Sequence, residues 1–150
     1  MPLMSVLRKV RRDNAGVAHG DWGEGVAADY LRRAGFVIIE RNARPCGFDR
    51  RLEIDLIVYD RASDTMVFVE VKQHRCHSPY ERRMRSVNRR KLRNLRTACN
   101  AWRRVNKYFG VVRFDIIEIY GEPDGGRPEI DHLTNVNLFV KPERFVKWTA

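Results

Sequence analysis

The stretch TMVFVEVKQ, residues 65–73, is dominated by β-branched, aromatic and other apolar residues, yet it holds two opposite charges, Glu70 and Lys72. That composition suits a pleated and largely buried strand. Side chains alternate between the faces of a strand, so Val69 and Val71 point one way while Phe68, Glu70 and Lys72 point the other. Both charges therefore share a face, either as a simple salt bridge or as part of a site.

The preceding segment EIDLIVYD, residues 53–60, has the same build, and only the polar RASD separates the two. This reads as a hairpin. Glu53 and Asp55 fall on one face and Ile54 and Leu56 on the other. Counting outward from the turn sets Asp55 near Glu70 or Lys72, within a residue or two of register. A cross-strand ion-pair network is the ordinary account of such a set. The functional account is a divalent metal site. Mg²⁺ takes hard oxygen ligands and keeps several waters, so two carboxylates of this patch with a backbone carbonyl, for which Val71 is the candidate, suffice. Lys72 could then orient or help deprotonate an attacking water, or stabilise charge developing on a phosphate.

Further out, DWGEGVAADYLRRAG (21–35) predicts a helix with Asp21 as N-cap, an Ala27, Leu31, Ala34 stripe and Gly35 as its stop. FVIIERN reads as a strand and ARPCGFDRR as a loop. Residues 83–108 form the longest helical candidate, VRFDIIEIYG a further strand, EPDGGRPEI a Gly/Pro-rich loop, and LTNVNLFV a last short strand. A long helix between two strands implies a parallel crossover in an otherwise antiparallel sheet. The expected fold is α/β, with a mixed central sheet flanked by helices. Residues 1–20 read as a basic N-terminal arm and 21–150 as a single domain.

Twenty-nine Lys and Arg against nineteen Asp and Glu give a net charge of +10 over 150 residues, which points to a polyanionic partner, nucleic acid first among them. No segment approaches the run of about 18 apolar residues needed to cross a bilayer, and MPLMSVLRKVRRDN has no signal-peptide core, so a cytoplasmic protein without membrane contact is expected. Cys46, Cys76 and Cys99 are odd in number and unpatterned, which fits reduced thiols. His74, Cys76 and His77 lack a second ligand pair at zinc-finger spacing.

From Arg82 to Lys107 there are eleven Lys or Arg and no Asp or Glu. At about 100° per residue, Lys91 falls in the middle of an apolar stripe of Met84, Val87, Leu95, Ala98, Trp102, Val105 and Phe109. It either snorkels over the core or emerges beside Glu70 and Lys72 as a phosphate contact. Arg82, Arg83, Arg85, Arg89, Arg90, Arg93 and Arg96 would line the surface as a phosphate-binding track, because a merely solvated helix face mixes acids with its bases. Glu24 has two readings as well. Asp21-Trp-Gly-Glu24 is a capping-box pattern, but Glu24 also lies about 60° from Ala27, on the flank of the buried stripe, within reach of the sheet end. Arg113 and Asp115 read as a structural pair at a strand edge, and Trp22, Trp102 and Trp148 as packing residues.

Glu53-Ile-Asp55 followed by Val69-Glu70-Val71-Lys72 resembles the D…(D/E)-x-K core of the PD-(D/E)XK nuclease superfamily. Within it, the run from GEGVAADYLRRAGFVIIERN through EIDLIVYD, VFVEVK and RRKLRNLRTA to RFDIIEIYG, roughly residues 20–120, looks most like the YraN-like endonuclease-related family, itself similar to archaeal Holliday junction resolvases. The resemblance implies an αβββαβ restriction-endonuclease-like core. It implies Asp55 and Glu70 as metal ligands, Lys72 as catalytic lysine, Glu24 as an auxiliary acid, and a Lys91-type group from the long helix. Mg²⁺ or Mn²⁺ would be the cofactor and DNA, branched or structured, the substrate of an endonuclease. The alternative is a non-catalytic nucleic-acid-binding module that keeps the fold. Two symmetric cuts in a branch would need a homodimer. Two departures border the site: Leu52, after an enlarged PCGFDRR loop, replaces the family's usual Gly, and QHRCHSPYERR follows Lys72.

Overall fold

The computed structural model describes residues 22–47, 49–75 and 89–138. The N-terminal arm, the cap candidate Asp21, residues Cys76, His77, Met84 and Val87, the arginines Arg82, Arg83 and Arg85, and Trp148 lie outside the described residues.

Helix α1 spans Trp22–Arg33, followed by β1 (Val37–Ala43), β2 (Ile54–Asp60), β3 (Thr65–His74), α2 (Arg89–Val105), β4 (Val111–Tyr120) and β5 (Glu129–Leu133). The strands form one sheet in the order β1-β2-β3-β4-β5. Its β1–β2, β2–β3 and β4–β5 pairings are antiparallel and β3–β4 is parallel, the crossover through α2 that the sequence implies. The mixed sheet is flanked by the two helices, as expected.

The two faces of β3 carry the two halves of the core. Met66 and Phe68 pack with Leu95, Ala98 and Trp102 on the α2 side, while Val67 and Val69 pack with Ala27, Ala28 and Leu31 on the α1 side. Trp102 meets Phe68 edge to face and donates its indole N–H to Glu40 Oε2 at 2.9 Å, so it is the packing residue expected. A bulge between Ile38 and Glu40 interrupts the β1–β2 register next to that contact. Gly35, at φ +92°, ends α1 as anticipated, with Phe36 N–H bonded to Leu31 O and Gly35 N–H to Arg32 O.

Two expectations need correction. The last strand among the described residues is Glu129–Leu133, earlier than LTNVNLFV. Asn135 adopts φ +54°, which breaks the extended run, and Val136 and Leu138 enter the α2-side core from irregular backbone. The apolar stripe of α2 also stops at Trp102. Val105, the helix's last residue, and Phe109 are exposed, and between them Lys107 adopts φ +50° as the chain leaves the helix. No helix among the described residues is long and apolar enough to cross a membrane.

Candidate functional site

The N-terminal end of β2, the C-terminal half of β3, and the first turns of both helices meet at one end of the sheet. Antiparallel pairing sets Leu56 against Val69, so one step outward brings Asp55 level with Glu70. Asp55 Oδ2 accepts the Val71 N–H at 2.8 Å, which ties the carboxylate to the neighbouring strand. Glu70 follows Met66 and Phe68 onto the α2 face, as alternation requires, and is buried. Lys91 reaches down from α2 and pairs with Glu70. Lys91 thus stands beside Glu70 with its own side chain 51% exposed.

Glu24 enters from α1. Gly23 makes this close approach possible, since a Cβ there would stand 2.9 Å from Gln73 Oε1 at the end of β3. Carboxylate oxygens of Glu24, Glu53 and Asp55 all lie within 4.8 Å of one another. Glu53 is further held by Arg44, whose Nε donates at 2.7 Å. Burial, with the Glu70 and Glu24 carboxylates nearby, pushes Asp55 up to about 8, against the opposing pull of the Val71 N–H and Lys91. An acid cluster that holds one member protonated near neutrality is matched to a hard dication, which would replace that proton.

The structure thus groups Asp55 with Glu24 and Glu53 and places Lys91 on Glu70. Glu53, noted in the sequence only as a face-mate of Asp55, enters the cluster because α1 lands on that end of the sheet. A second buried acid escaped notice. Glu118 of β4 is aligned with Lys72 across the parallel pair, with His74 Nε2 at 3.5 Å and the Tyr120 hydroxyl at 3.4 Å. Its signal was the one that exposed Glu70, an acid flanked on both sides by β-branched residues within a strand.

The arginine track is placed only in part. Arg89, Arg90 and Arg93 are exposed on the first turns of α2. Arg96 is half-buried and donates its Nε to Leu138 O at 2.7 Å, which anchors the chain after β5. Arg113 and Asp115 stand on the α1 face and form a buried hub rather than a strand-edge pair. Asp115 accepts from Arg113 Nε at 3.0 Å and the Asn135 N–H at 2.9 Å, its Oδ2 lies 2.8 Å from His132 Nε2, and Arg113 also reaches Asp60 at 3.2 Å. Cys46 and Cys99 are free thiols.

The profile of "Uncharacterised protein family UPF0102" matches residues 23–119, the span that holds α1, the hairpin, α2 and β4. The chain belongs to this family. UPF0102 is the YraN-like, nuclease-related family that the motifs suggested. UPF0102 proteins similar to this chain include one from Trichlorobacter lovleyi, 37% identical over 119 residues, covering 79% of this chain and 88% of that one. Another, from Mycobacterium tuberculosis, is 36% identical over 136 residues, 89% of this chain and 99% of its own length. A third, from Syntrophomonas wolfei, is 37% identical over 120 residues, 77% and 94% of the two chains. The UPF0102 match includes Glu24, Glu53, Asp55, Glu70, Lys72 and Lys91, so every member of the site lies in the family's own span.

Proposed function

We propose that this chain is a divalent-metal-dependent endonuclease that hydrolyses phosphodiester bonds in DNA, with branched or structured DNA as its substrate class. The observation that carries the reading is the meeting of Glu24, Glu53 and Asp55 at the strand end beside Glu70, with Lys72 on the same strand and Lys91 above it. Three clustered carboxylate oxygens are a donor set for Mg²⁺ or Mn²⁺. Asp55 and Glu24 would hold the ion, with Glu53, Glu70 and the Val71 carbonyl as further oxygen donors at the same strand ends. When bound, the ion supplies Lewis acidity toward the phosphate.

The protein's own groups divide the remaining work. Asp55 must give up its proton before it can act as a ligand, and the Val71 N–H supports the charged form that results. Lys72 is a compact cation suited to the charge that builds on a phosphate. Lys91 fixes Glu70 and offers a second cation at the mouth of the site. Arg89, Arg90 and Arg93 supply phosphate contacts along the approach. A cytoplasmic setting and a homodimer, with two sites for two cuts, complete the reading.

A second reading, a non-catalytic nucleic-acid-binding module, draws on the Lys91–Glu70 pair, which leaves Glu70 already neutralised. Incubating supercoiled, flapped and four-way-junction DNA with the protein in Mg²⁺, Mn²⁺ or EDTA separates the two. The nuclease reading expects metal-dependent products that Asp55→Asn and Lys72→Ala abolish. Intact DNA under all conditions, with DNA binding retained, would establish the binding module.

A further inference from the structure

Residues 49–52, which lead into Glu53, form a built turn. Asp49 caps a 3₁₀ turn, Arg50–Leu52, by accepting the Arg51 N–H at 3.1 Å, and the Leu52 and Glu53 N–H groups bond to Asp49 O and Arg50 O. Leu52 fixes the turn by packing, half-buried, against the α2-side core. Arg44 closes the loop at its base through Glu53. The turn packs against α2, and its arginines stay outside: Arg50 is exposed, and the Arg51 side chain is 68% exposed.

Each of these two basic elements borders the acid cluster. The turn runs directly into Glu53, and α2 reaches Glu70 through Lys91. Four carboxylates gathered at a strand end repel a phosphodiester, so a polyanion can approach only along a cationic rim. Arg89, Arg90 and Arg93 give that rim on the helix, and the turn extends it. Asp49 holds the Arg51 guanidinium by its Nε and one terminal nitrogen, at 3.0 Å each, which presents the opposite edge of the fork outward. An exposed pair of this kind is worth little and is screened by salt, so it orients Arg51 without sequestering it.

We propose that the Asp49–Leu52 turn is a second phosphate-binding edge. Arg50 and Arg51 take the sugar–phosphate backbone of the same nucleic acid that Arg89, Arg90 and Arg93 contact from α2. The inference rests on the nucleic-acid reading above, but not on catalysis.

The test is the salt dependence of binding to a labelled 25-base-pair duplex in EDTA, where no cleavage interferes. Each lost phosphate contact flattens the plot of log K against log salt by about 0.9. Arg50→Ala/Arg51→Ala should flatten it by about 2 and weaken binding about 10- to 100-fold near 0.1 M salt, while Arg50→Lys/Arg51→Lys retains the slope. Far-ultraviolet circular dichroism melts of both variants serve as the fold control. Normal slope and affinity in Arg50→Ala/Arg51→Ala, beside a loss in Arg89→Ala/Arg93→Ala, would overturn the proposal and leave the nucleic-acid reading standing. Weakened binding with an unchanged slope would make the turn merely structural and overturn it as well. No binding by the wild-type protein would remove both readings together.

Discussion

Lys91, in the first turn of α2, sets its ammonium against the buried carboxylate of Glu70 on β3: the lysine side chain is 51% exposed and the glutamate 7%. The hidden acid thus has a cation that is itself partly in water. Removing one partner of a fully buried pair costs about 3–5 kcal/mol because the other charge is stranded, whereas exposed pairs contribute about 0–1 kcal/mol. Lys91→Ala should fall between these limits, lowering the urea unfolding free energy at pH 7 by about 1–2 kcal/mol. Adding Glu70→Gln should restore most of that. A double variant as unstable as Lys91→Ala alone would show that the cost does not come from stranding Glu70.

Asp55 makes the opposite kind of prediction, because its folded-state pKa is raised to about 8 by burial and by the Glu70 and Glu24 carboxylates. Between the ordinary carboxylate range and 8 the native state binds more protons than the unfolded chain. The associated stability is therefore complete below about pH 4 and is lost as pH rises through 8. Asp55→Asn should melt higher than wild type at pH 9, with the gap closing at pH 4, at about 3 °C per kcal/mol for a chain of this size. Mn²⁺ binding should release a proton below pH 8 and weaken by up to about tenfold per pH unit of acidification. Calorimetry in buffers of differing ionisation enthalpy measures that proton. A pH-independent affinity between 6 and 8 would contradict the raised pKa.

How much of this was legible in the sequence depended on the range of the interactions. Alternation in TMVFVEVKQ and the short RASD turn encode the hairpin locally, and Lys91 stood out as a charge inside an apolar stripe. The crossover followed from a long helix between two strands. Glu53 and Glu24 could not be joined that way, because their meeting depends on where α1 lands on the sheet, which is set by contacts such as Gly23 with Gln73. β5 was misplaced for a related reason. Edge strands satisfy one partner only, so EIDHL carries a weak pattern, while the more apolar run that begins at its last residue, Leu133, sends Val136 and Leu138 to the core from irregular backbone.

The Asp115 hub should behave as structure alone. Although burial works to raise its pKa, the hydrogen bonds from His132, Arg113 and the Asn135 N–H hold it below the ordinary carboxylate range. Its contribution is thus present above about pH 4 and lost as pH falls toward the depressed value, the reverse of Asp55. Asp115→Ala leaves Arg113 with Asp60 alone and takes the carboxylate from His132 and the Asn135 N–H, and should cost about 3 kcal/mol, visible in urea unfolding at pH 7. Asp115 shares the face of Val69, across the sheet from Glu70, so Mn²⁺ affinity at a temperature where the variant is folded should be unchanged. A shared loss of metal binding would place Asp115 in the site.

Gly23→Ala tests whether the landing of α1 assembles the acid cluster. A methyl group there would meet Gln73 Oε1 at 2.9 Å and Gln73 Cβ at 3.3 Å. The amide end of Gln73 can swing aside, but its Cβ is tied to β3, so the first turn of α1 must lift by a few tenths of an ångström. Alanine favours helix over glycine by up to about 1 kcal/mol, which offsets much of the steric cost. Global stability should therefore change little while Glu24 moves away from Glu53 and Asp55. Changes in the groups that position ligands typically cost about 10- to 100-fold in metal affinity. Gly23→Ala should weaken Mn²⁺ binding by about tenfold, with a melting temperature within about 3 °C of wild type. Full Mn²⁺ affinity in a well-folded Gly23→Ala variant would mean that the close approach of α1 does not set the position of Glu24, or that Glu24 is not a ligand. Titrating Glu24→Gln under the same conditions separates these outcomes, since only a ligand would lose affinity there.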